Sequence, residues 1–454
     1  MRFHLLQAAL ALVAVACAGC GSQSGVASRE RPNIVCVVID TLRADHLGLY
    51  GYQRPTSPAL DELGRRALVV DRMIAQSSWT KPSVASLFTS LNPSQHRAVE
   101  ETTQNVLAGS LTTLAEILQQ EGYRTAGFSE NPHIGPSTRF DQGFDLFQTL
   151  GGFDGNKDFV VQGARAFLEQ ATNQRDPFFL YLHILDPHGP YEPGPERRSE
   201  FLGDLESSDA RVRQGRVGQL AEGTQLLAQL TPQDLDYLRA LYDAELRQTD
   251  QVVAELLTRL EQLGLRERTI VLVTSDHGEE FLEHGTLKHG YQLFEETVRV
   301  PLILAVPGAP ARRVGDAALQ HIDLAPTLLE LVGLPVPGTF RGQSFAGLLR
   351  GESLPERPMV LETAWRGVDI KALRRGRWKL IVDRVAGTRR LFDLETDPAE
   401  LHDRSASEPG LVDELEAELT RATAPLSGLQ PDDASGAGDP QAERALRALG
   451  YFGK

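Results

Sequence analysis

The sequence predicts an α/β protein: a large α/β/α sandwich on a mostly parallel mixed sheet, followed by a small C-terminal α+β domain. Three observations indicate this. From Pro32 onward, apolar runs alternate with helical patterns, which is typical of parallel strands joined by helices. Short strand-like runs then follow residue 355. The chain of 454 residues also exceeds the size at which one hydrophobic core keeps growing, so a second, smaller unit is expected.

Residues 1–20 are predicted to be a signal peptide of the lipoprotein type. The apolar stretch over residues 5–18 is too short to span a bilayer. It leads into "AVACAGCGSQSG", which resembles the cleavage and acylation site of bacterial lipoproteins, with Cys20 preferred to Cys17. An ordinary cleaved signal peptide is the alternative. With residues 21–31 as a tether, we expect an extracytoplasmic protein, periplasmic or on the cell surface, that meets the membrane only through its N-terminal lipid anchor.

Three apolar runs are predicted to be strands with polar side chains at their ends. "IVCVVID" ends in Asp40, "FFLYLHILDPH" ends in Asp186 and His188, and "TIVLVTSDHG" ends in Asp276 and His277. Ligands of open α/β sheets bind beyond the carboxyl ends of the strands. We therefore expect these acidic and imidazole groups to converge on one site.

Helices are predicted between these strands. "LTTLAEILQQEGY" has one apolar face and Gly122 as its C-cap. A long helix is expected to begin with Thr231 as N-cap and Pro232 at the first helical position, and to end before Gly264. The polar stretch over residues 192–230 is predicted to be an insertion that could cover the site.

The predicted domain boundaries follow from these patterns. Residues 32–350 form the large catalytic domain, and residues 351–423 form the small one. In the latter, "PMVLETAW", "KALRRGRWKLIVD" and "TRRLFDLE" predict short strands, and "EPGLVDELEAELTRAT" predicts a helix. Residues 424–454 have the composition of a flexible tail with one last short helix.

Charge and cysteine content narrow the function. A net charge of −15 argues against a nucleic-acid partner, because phosphate contacts need clustered lysine and arginine. An anionic substrate remains possible, since a bound metal reverses the local field. Only Cys36 remains outside the signal segment, and its apolar surroundings predict a buried core thiol.

The strand-end residues suit a metal site. Oxygen and imidazole ligands without thiolates favour zinc, manganese, magnesium or calcium, as one ion or two. Asp40, Asp276 and His277 are the main candidate ligands, with Asp186 and His183 as weaker ones. Any one of them alone could equally cap a helix or bind a loop backbone. Convergence of three strand ends favours the metal.

Thr80, in "SSWTKPSVASLFTS", is the candidate nucleophile and a further candidate metal ligand. If it opens a helix, its hydroxyl lies at the positive end of the helix dipole, near N–H groups that can hold an oxyanion. A metal could then depress the pKa of the hydroxyl. The alternative is that Thr80 only caps the helix. Trp79 could line the pocket or belong to the core.

A resemblance to the sulfatase family, in the alkaline phosphatase superfamily, covers roughly residues 32–420. Its blocks come in the family's order: "DTLRADHLGLYGY", "PSVASLFTS", "PFFLYLHILDPHGPY", "TSDHGEEFLEHG", "FEETVRVPLIL", "DLAPTLLELVGLP" and "LFDLETDPAEL". The resemblance implies an α/β/α domain with a mixed sheet and a small C-terminal domain with an antiparallel sheet.

The resemblance also implies roles for single residues. Asp40 matches the first aspartate of a metal-binding pair, but Thr41 stands where the second is expected. Asp276 matches the later metal aspartate. His277 stands where calcium-binding sulfatases usually have asparagine and phosphodiesterase-like relatives have histidine.

Groups near the anion are implied in the same way. His188 matches a histidine that contacts the transferred anion or the leaving group, and His289 or Lys288 lies near the anion. The family's lysine and histidine in a "GKWH" block are missing. Glu130 and Asn131 stand in that region, with His133 out of register.

The nucleophile departs most from the family. Sulfatases carry cysteine or serine in C/S-x-P-S-R, oxidised to formylglycine, whereas this chain has Thr80 and ends the motif in Val84. A threonine ester must be released by attack of water or an acceptor on phosphorus or sulfur. Relatives with unmodified threonine or serine are typically phosphodiesterases, phosphatases or phospho-group transferases.

We therefore expect a metal-dependent hydrolase of phosphate or sulfate esters, acting on a small-molecule, glycan or lipid ester. One alternative is a transferase that moves a phospho-group onto envelope lipids or glycans. The other is an inactive, sulfatase-like binding protein. Several polar residues are expected to be structural: Arg43, Asp45 and His46 in loop salt bridges, Asp323 as a helix N-cap, and His96, His321 and His402 on the surface or in loops.

Overall fold

The computed structural model describes residues 31–150, 159–172, 174–221, 224–425 and 435–449. The predicted signal peptide and most of the predicted tether lie outside the described residues, as does part of the tail. Within the described ranges, no helix combines the length and the apolar character needed to cross a membrane.

The strands fall into two sheets and one short ribbon. In chain order they are β1 (Asn33–Ile39), β2 (Leu68–Ile74), β3 (Arg124–Ser129), β4 (Leu146–Thr149), β5 (Phe178–Ile184), β6 (Thr269–Ser275), β7 (Glu280–Phe281), β8 (Leu287–Lys288), β9 (Arg299–Ala305), β10 (Arg312–Gln320), β11 (Met359–Trp365), β12 (Val368–Arg375), β13 (Trp378–Asp383) and β14 (Thr388–Asp393).

The helices connect these strands or cover them. They are α1 (Pro58–Gly64), α2 (Thr80–Thr89), α3 (Pro93–His96), α4 (Leu114–Gln120), α5 (Phe159–Ala171), α6 (Pro195–Leu202), α7 (Ala210–Arg213), α8 (Val217–Ala221), α9 (Thr224–Leu227), α10 (Pro232–Gln262), α11 (Glu295–Val298), α12 (Leu324–Leu331), α13 (Gly347–Arg350), α14 (Pro409–Ala422) and α15 (Pro440–Ala448).

The central sheet has eight strands in the order β10-β2-β9-β6-β1-β5-β3-β4. β1 pairs in parallel with β5 on one side and with β6 on the other. β9 runs antiparallel to both β2 and β6. The predicted mixed, mostly parallel sheet is thus confirmed. Since β1, β5 and β6 are parallel neighbours, their carboxyl ends lie side by side.

Both faces of this sheet are covered. Alternate residues of β1 belong to two separate apolar cores, one shared with α2, α4 and α12 and the other with α1, α5 and α10. This is the predicted α/β/α sandwich. Cys36 is fully buried in the first core, as predicted, and burial raises the pKa of its thiol to about 12.

The second sheet is an antiparallel meander in the order β11-β12-β13-β14. One face packs against α14. The other face packs against Ile74, at the end of β2, and against Leu293, Phe294 and Val298, in and just before α11. The run "KALRRGRWKLIVD" spans two strands. Gly376 turns the chain between β12 and β13 with a φ of +60°, in the left-handed region that favours glycine.

The two helix predictions are confirmed at their caps. The hydroxyl of Thr231 accepts the N–H of Asp234 at the start of α10, and Gly264 follows the helix end. Gly122 follows α4 with a φ of +86°. The polar insertion carries the short helices α6 to α9, of which α8 lies against β8.

Two of the histidines expected on the surface or in loops are buried, one in the short helix α3 and one in the turn before α12. His96 Nδ1 accepts the N–H of Ala98 at 3.1 Å, and its Nε2 lies 3.1 Å from Ser86 Oγ. His321 is equally buried, and burial lowers the pKa of each imidazole to about 3. Both imidazoles contact serines of α2, Ser86 for His96 and Ser83 for His321. The local sequence pattern around each histidine does not reveal these contacts. His402 is exposed, as predicted.

The other residues expected to be structural mostly are. Arg43 pairs with Asp45 and with Glu283, each at 2.8 Å. His46 Nδ1 lies 2.7 Å from Asp243 Oδ1.

Asp323 occupies the predicted position before α12 but does not cap that helix with its side chain. Its carboxylate accepts the N–H groups of Gln320 and Gln343 and pairs with Arg357. It therefore closes the turn that precedes α12.

Candidate active site

Three neighbouring strands bring a group of buried ligand atoms together. Asp40 follows β1, Asp276 follows β6, and His183 is the next-to-last residue of β5; all three are fully buried. The N–H of Asp40 donates to the carbonyl of Ile184 at 2.9 Å and holds the two strand ends together. One donor atom from each of the three residues lies within 4.8 Å of the others. His183 Nε2 is 3.3 Å from Asp40 Oδ2 and 3.9 Å from Asp276 Oδ2.

His277 faces the same two carboxylates. Its Nε2 lies 3.4 Å from Asp276 Oδ2 and 3.7 Å from Asp40 Oδ1. Its Nδ1 lies 2.9 Å from the carbonyl oxygen of Gly278, which leaves Nε2 with the lone pair when Nδ1 carries the proton. We call Asp40, Asp276, His183 and His277 the carboxylate cluster.

The two weaker metal candidates differ in placement. His183 lies on the face of β5 that carries Phe179 and Tyr181 and faces α2, so strand alternation directs it into the cluster. Asp186 lies two residues beyond β5 and is not in the cluster. Its backbone carbonyl accepts a hydrogen bond from the hydroxyl of Thr249 at 3.0 Å.

The carboxylate cluster fits a divalent cation. Asp40 Oδ1 and Asp276 Oδ2 are buried and have no hydrogen-bond partner among the described residues. In the same described ranges, neither carboxylate is ion-paired with lysine or arginine. Burial, and then the neighbouring charge of Asp40, raise the pKa of Asp276. Two buried like charges with unsatisfied oxygen atoms are costly unless a cation binds between them.

Thr41 replaces the second aspartate that the resemblance led us to expect. Its backbone N–H donates to Asp276 Oδ1 at 3.2 Å, and its carbonyl accepts a hydrogen bond from the hydroxyl of Tyr242 at 2.8 Å. Its own φ is +56°, an unusual conformation for a β-branched residue. This position therefore orients the cluster through its backbone and adds no negative charge.

Thr80 begins α2 directly beside the cluster. The N-cap is Trp79, with extended backbone, so the interpretation of Thr80 as the capping residue is wrong. The Thr80 hydroxyl is fully buried, 3.3 Å from His277 Nε2 and 3.3 Å from Asn131 Nδ2. Its surroundings are thus the functional groups of the cluster.

Asn131 joins Thr80 to the cluster. Its amide nitrogen donates to Asp40 Oδ2 at 2.6 Å as well as to the Thr80 hydroxyl. From the sequence, Asn131 is expected only to stand in the region where the family has its "GKWH" block. On the other side, the Ser83 hydroxyl donates to the carbonyl of Asp276 at 2.5 Å and lies 3.0 Å from His321 Nδ1. The start of α2 is therefore anchored to β6.

A second group of polar side chains lies beyond His277. The ring centroids of His277 and His289 are 4.4 Å apart, and those of His289 and His188 are 5.0 Å apart. Burial lowers the pKa of His188 to about 4, and it lowers that of His289 as well. The charge of Lys288, which is 3% exposed, acts in the same direction on both imidazoles.

Sequence reasoning did not select the acid behind His289. His289 Nδ1 lies 2.8 Å from Glu279 Oε1, and the hydroxyl of Tyr191 donates to Glu279 Oε2 at 2.9 Å. Glu279 is fully buried, and burial raises its pKa. The one available signal was its position three residues after Asp276, within the same strand-end loop.

Comparisons with known proteins agree with this architecture. The Sulfatase family model matches residues 32–334, and the model for the C-terminal region of N-sulphoglucosamine sulphohydrolase matches residues 283–424. Arylsulfatase K of Homo sapiens is 27% identical over 469 residues, which cover 91% of this chain and 85% of that protein.

Two solved structures show the same fold at low identity. One protein, in complex with its substrate D-glucosamine-2-N,6-O-disulfate, has a TM-score of 0.72 at 20% identity, covering 87% of this chain and 98% of that one. The phosphonate monoester hydrolase of Agrobacterium radiobacter has a TM-score of 0.70 at 19% identity, covering 86% and 95%. With the family model matched over most of the large domain, the chain belongs to the sulfatase family of hydrolases.

Proposed function

We propose that the protein is a metal-dependent hydrolase of phosphate or sulfate esters that uses Thr80, unmodified, as its nucleophile. One observation carries the proposal. The Thr80 hydroxyl lies at the start of α2, in hydrogen-bonding distance of His277 and Asn131, beside two buried carboxylates without a cationic partner. Free N–H groups of the first helical turn and the helix dipole favour an anion at this position.

The cation would be held by Asp40 and Asp276, with imidazole ligands from His277 and His183. A bound divalent cation supplies charge that offsets the anionic ester and lowers the pKa of a nearby hydroxyl. Asn131 keeps the Thr80 hydroxyl against Asp40, since its amide contacts both oxygen atoms. The chain thus positions the nucleophile independently of substrate.

The reaction then needs two displacements. Thr80 Oγ1, after losing its proton to water, forms a bond to phosphorus or sulfur while the bond to the leaving oxygen breaks, and that oxygen takes a proton from His289 or His188. Water next gives a proton to the same imidazole and attacks the threonine ester, which frees Thr80 Oγ1 and releases the phosphate, phosphonate or sulfate product. Without substrate, burial and the charge of Lys288 favour the neutral form of both imidazoles. The negative charge of a bound ester favours their protonated forms.

The decisive experiment compares Thr80→Ala and Thr80→Ser with the native enzyme. Each is assayed on aryl sulfate, phosphate monoester, phosphodiester and phosphonate substrates with a panel of divalent metals. We expect Thr80→Ala to lose turnover, and Thr80→Ser to retain part of it and to accumulate an adduct by intact mass. Thr89→Ala, at the other end of α2, is the control, because its hydroxyl only contacts the carbonyl of Ala85. Full activity of Thr80→Ala with metal still bound would refute the assignment.

The same assay separates the other two candidate functions. Transfer of the group to a lipid or glycan acceptor, with little release to water, would identify a transferase. A binding protein would bind no divalent metal and show no turnover. The unpaired oxygen atoms of Asp40 and Asp276 favour the catalytic interpretation.

We also propose that the protein is lipidated at Cys20 and acts outside the cytoplasm. Cys20→Ala should prevent incorporation of labelled fatty acid and release the protein from the membrane fraction. Cys17→Ala is the matched control and should leave both unchanged. If only Cys17→Ala lost the label, the lipid anchor would be assigned to Cys17.

A further inference from the structure

The candidate active site is sealed from solvent. Asp40, Thr80, Asp276 and His277 are 0% exposed, and His289 is 1% exposed. An ester cannot reach a nucleophile that is covered on every side, so some part of the covering must move. The moving part must be a segment that covers the site and can separate from it.

The walls next to the reacting groups are aromatic. Trp79 directly precedes Thr80, and Trp365 at the end of β11 stacks on it, with ring centroids 6.2 Å apart and an interplanar angle of 19°. Trp365 also stacks on His289 at 6.1 Å and 11°. The tryptophan pair therefore spans the distance between the proposed nucleophile and the proposed acid. This is the side on which the leaving group of an ester must lie.

The chain's own C-terminal helix occupies that side. Leu446 and Leu449 pack into one apolar cluster with Trp79 and Trp365 and are 0% and 2% exposed. Leu185, the residue after β5, packs against the same cluster. The leucine side chains thus fill space next to the start of α2, the end of β5 and the end of β11.

Polar contacts with the loop around Thr103 hold the start of this segment in place. The Thr103 hydroxyl accepts the N–H of Asp439 at 3.1 Å and donates to Glu443 Oε1 at 3.2 Å. The N–H of Gly436 donates to the carbonyl of Gln104 at 2.7 Å. In the described part of the chain, α15 meets helices and strands through the tryptophan pair, at the end of β11 and just before α2. It lies on loops and on the tryptophan pair.

A solvent cavity of about 840 Å³ is lined by chain neighbours of this contact. Its wall includes Pro82, two residues after Thr80, Ala364, next to Trp365, and Ser435, at the start of the C-terminal segment. Displacement of α15 would therefore open the space over the tryptophan pair towards an existing cavity.

We propose that α15 is a displaceable lid whose Leu446 and Leu449 occupy the leaving-group subsite, and that an apolar or ring-shaped leaving group replaces them when substrate binds. This rests on the proposed function for the identity of the reacting group. The faces of Trp79 and Trp365 suit an aryl group or the apolar face of a sugar ring. Substrate binds only to molecules whose lid is open. The apparent affinity is therefore the affinity of the open form multiplied by the fraction of molecules that are open.

The first test undocks the helix in the full-length chain. Leu446→Asp places a charge in the tryptophan contact, and Ala448→Asp places the same charge on the exposed face of α15 as a matched control. We expect only Leu446→Asp to increase acrylamide quenching of tryptophan fluorescence and to raise kcat/KM for a bulky aryl ester, by up to about tenfold. A fall in kcat/KM with unchanged thermal stability would show that the helix builds the site, and would overturn the proposal.

The second test locks the helix. A Cβ atom built on Gly438 lies 3.6 Å from Thr103 Oγ1, so the pair Thr103→Cys and Gly438→Cys lies within reach of a disulfide. Gly438→Ala carries the same backbone strain at a φ of +77° and is the matched control. The oxidised enzyme should lose turnover, and the same protein after reduction should regain it. Equal turnover in both states would overturn the lid. Fluorescence quenching needs no turnover, so failure of the proposed hydrolase activity would not be mistaken for failure of the lid.

Discussion

Two groups of carboxylates in the described part of the chain differ in their partners: lysine and arginine lie beside one group, and imidazoles lie beside the other. In the carboxylate cluster, imidazoles are the only side chains among the described residues that pair as bases with Asp40 and Asp276. In the second group, Lys379 Nζ lies 3.1 Å from Glu295 Oε1 and 2.9 Å from Glu400 Oε1. We call this second group, with Arg374, the junction cluster, because it joins the start of α11 to the small antiparallel sheet.

The junction cluster is balanced in charge, with two cationic and two acidic side chains in contact. Arg374 lies 3.3 Å from Glu295 Oε2, and the N–H of Glu295 donates to Glu400 Oε2 at 2.7 Å. Lys379 and Glu400 are 0% and 2% exposed, as deeply buried as the active-site groups. Lys379 and Glu400 are therefore buried as deeply as the carboxylate cluster, and the cation is what differs. A cluster that is balanced in charge needs no further ligand, whereas an unbalanced one favours the binding of a cation.

The largest expected effect comes from unbalancing the junction cluster. Lys379→Met leaves two buried carboxylates without their lysine, and we expect a loss of about 3–5 kcal/mol in the free energy of unfolding. Denaturant titration measures it. Arg389→Met removes an exposed ion pair to Asp413 and Glu416 and should cost less than about 1 kcal/mol. Equal losses in the two variants would contradict the distinction between buried and exposed pairs.

The opposite result is expected in the carboxylate cluster. Asp276→Asn removes one of two buried like charges and one metal ligand, so kcat/KM should fall by at least about 100-fold, more than the usual effect of an outer-shell change. In the presence of a chelator, the melting temperature of this variant should equal or exceed that of the native chain, because the repulsion is gone. Calorimetry and metal analysis provide the two measurements. A chelated Asp276→Asn protein that melts well below the native one would show that the cluster is structural.

A smaller effect should follow from removing the amide that links nucleophile to cluster. Asn131→Ala deletes the contacts to Thr80 and Asp40, and we expect a loss of about 10–100-fold in kcat/KM. The control is Asn33→Ala, a buried asparagine at the other end of the sheet that donates to the Thr269 hydroxyl. It should lower stability and leave kcat/KM unchanged. If both variants lose activity equally, Asn131 acts through the fold.

The main features of the fold could be predicted from sequence because they depend on local signals. β1, β5 and β6 are continuous apolar runs, and the order of the motif blocks implies the family. Asp40, Asp276, His277 and Thr80 followed from their places at strand and helix ends. These are positions that periodicity and capping patterns locate without knowledge of distant contacts.

The rest of the site depends on contacts between distant segments. His183 ranked low because its strand is buried on both faces, so composition does not reveal which face it takes. Asn131 and Glu279 reach the candidate site only because the segments after β3 and β6 fold against the end of β1. The same holds for Leu446, whose place beside Trp79 joins residues far apart in sequence. Local pattern carries no information about such pairs.

The smallest expected effect is a pH dependence at the junction. Burial of His284 lowers its pKa, but the hydrogen bond and charge of Glu296, 2.5 Å away, outweigh this and raise the pKa above its ordinary value. Its Nε2 lies 3.1 Å from the carbonyl of Ala399, so the doubly protonated ring fits both acceptors. A raised pKa contributes stability that is complete below about pH 6.5 and is lost as pH rises through the folded-state value.

His284→Gln should therefore reduce the drop in melting temperature between about pH 6 and about pH 8. It should not abolish the drop, because burial also raises the pKa of Glu400 to about 7, and ionisation of a buried acid costs stability in the same pH window. His402→Gln, at an exposed site, is the control. A pH profile unaltered by His284→Gln would assign the whole dependence to Glu400. The balance of the junction cluster would then be set by that carboxylate and Lys379 alone.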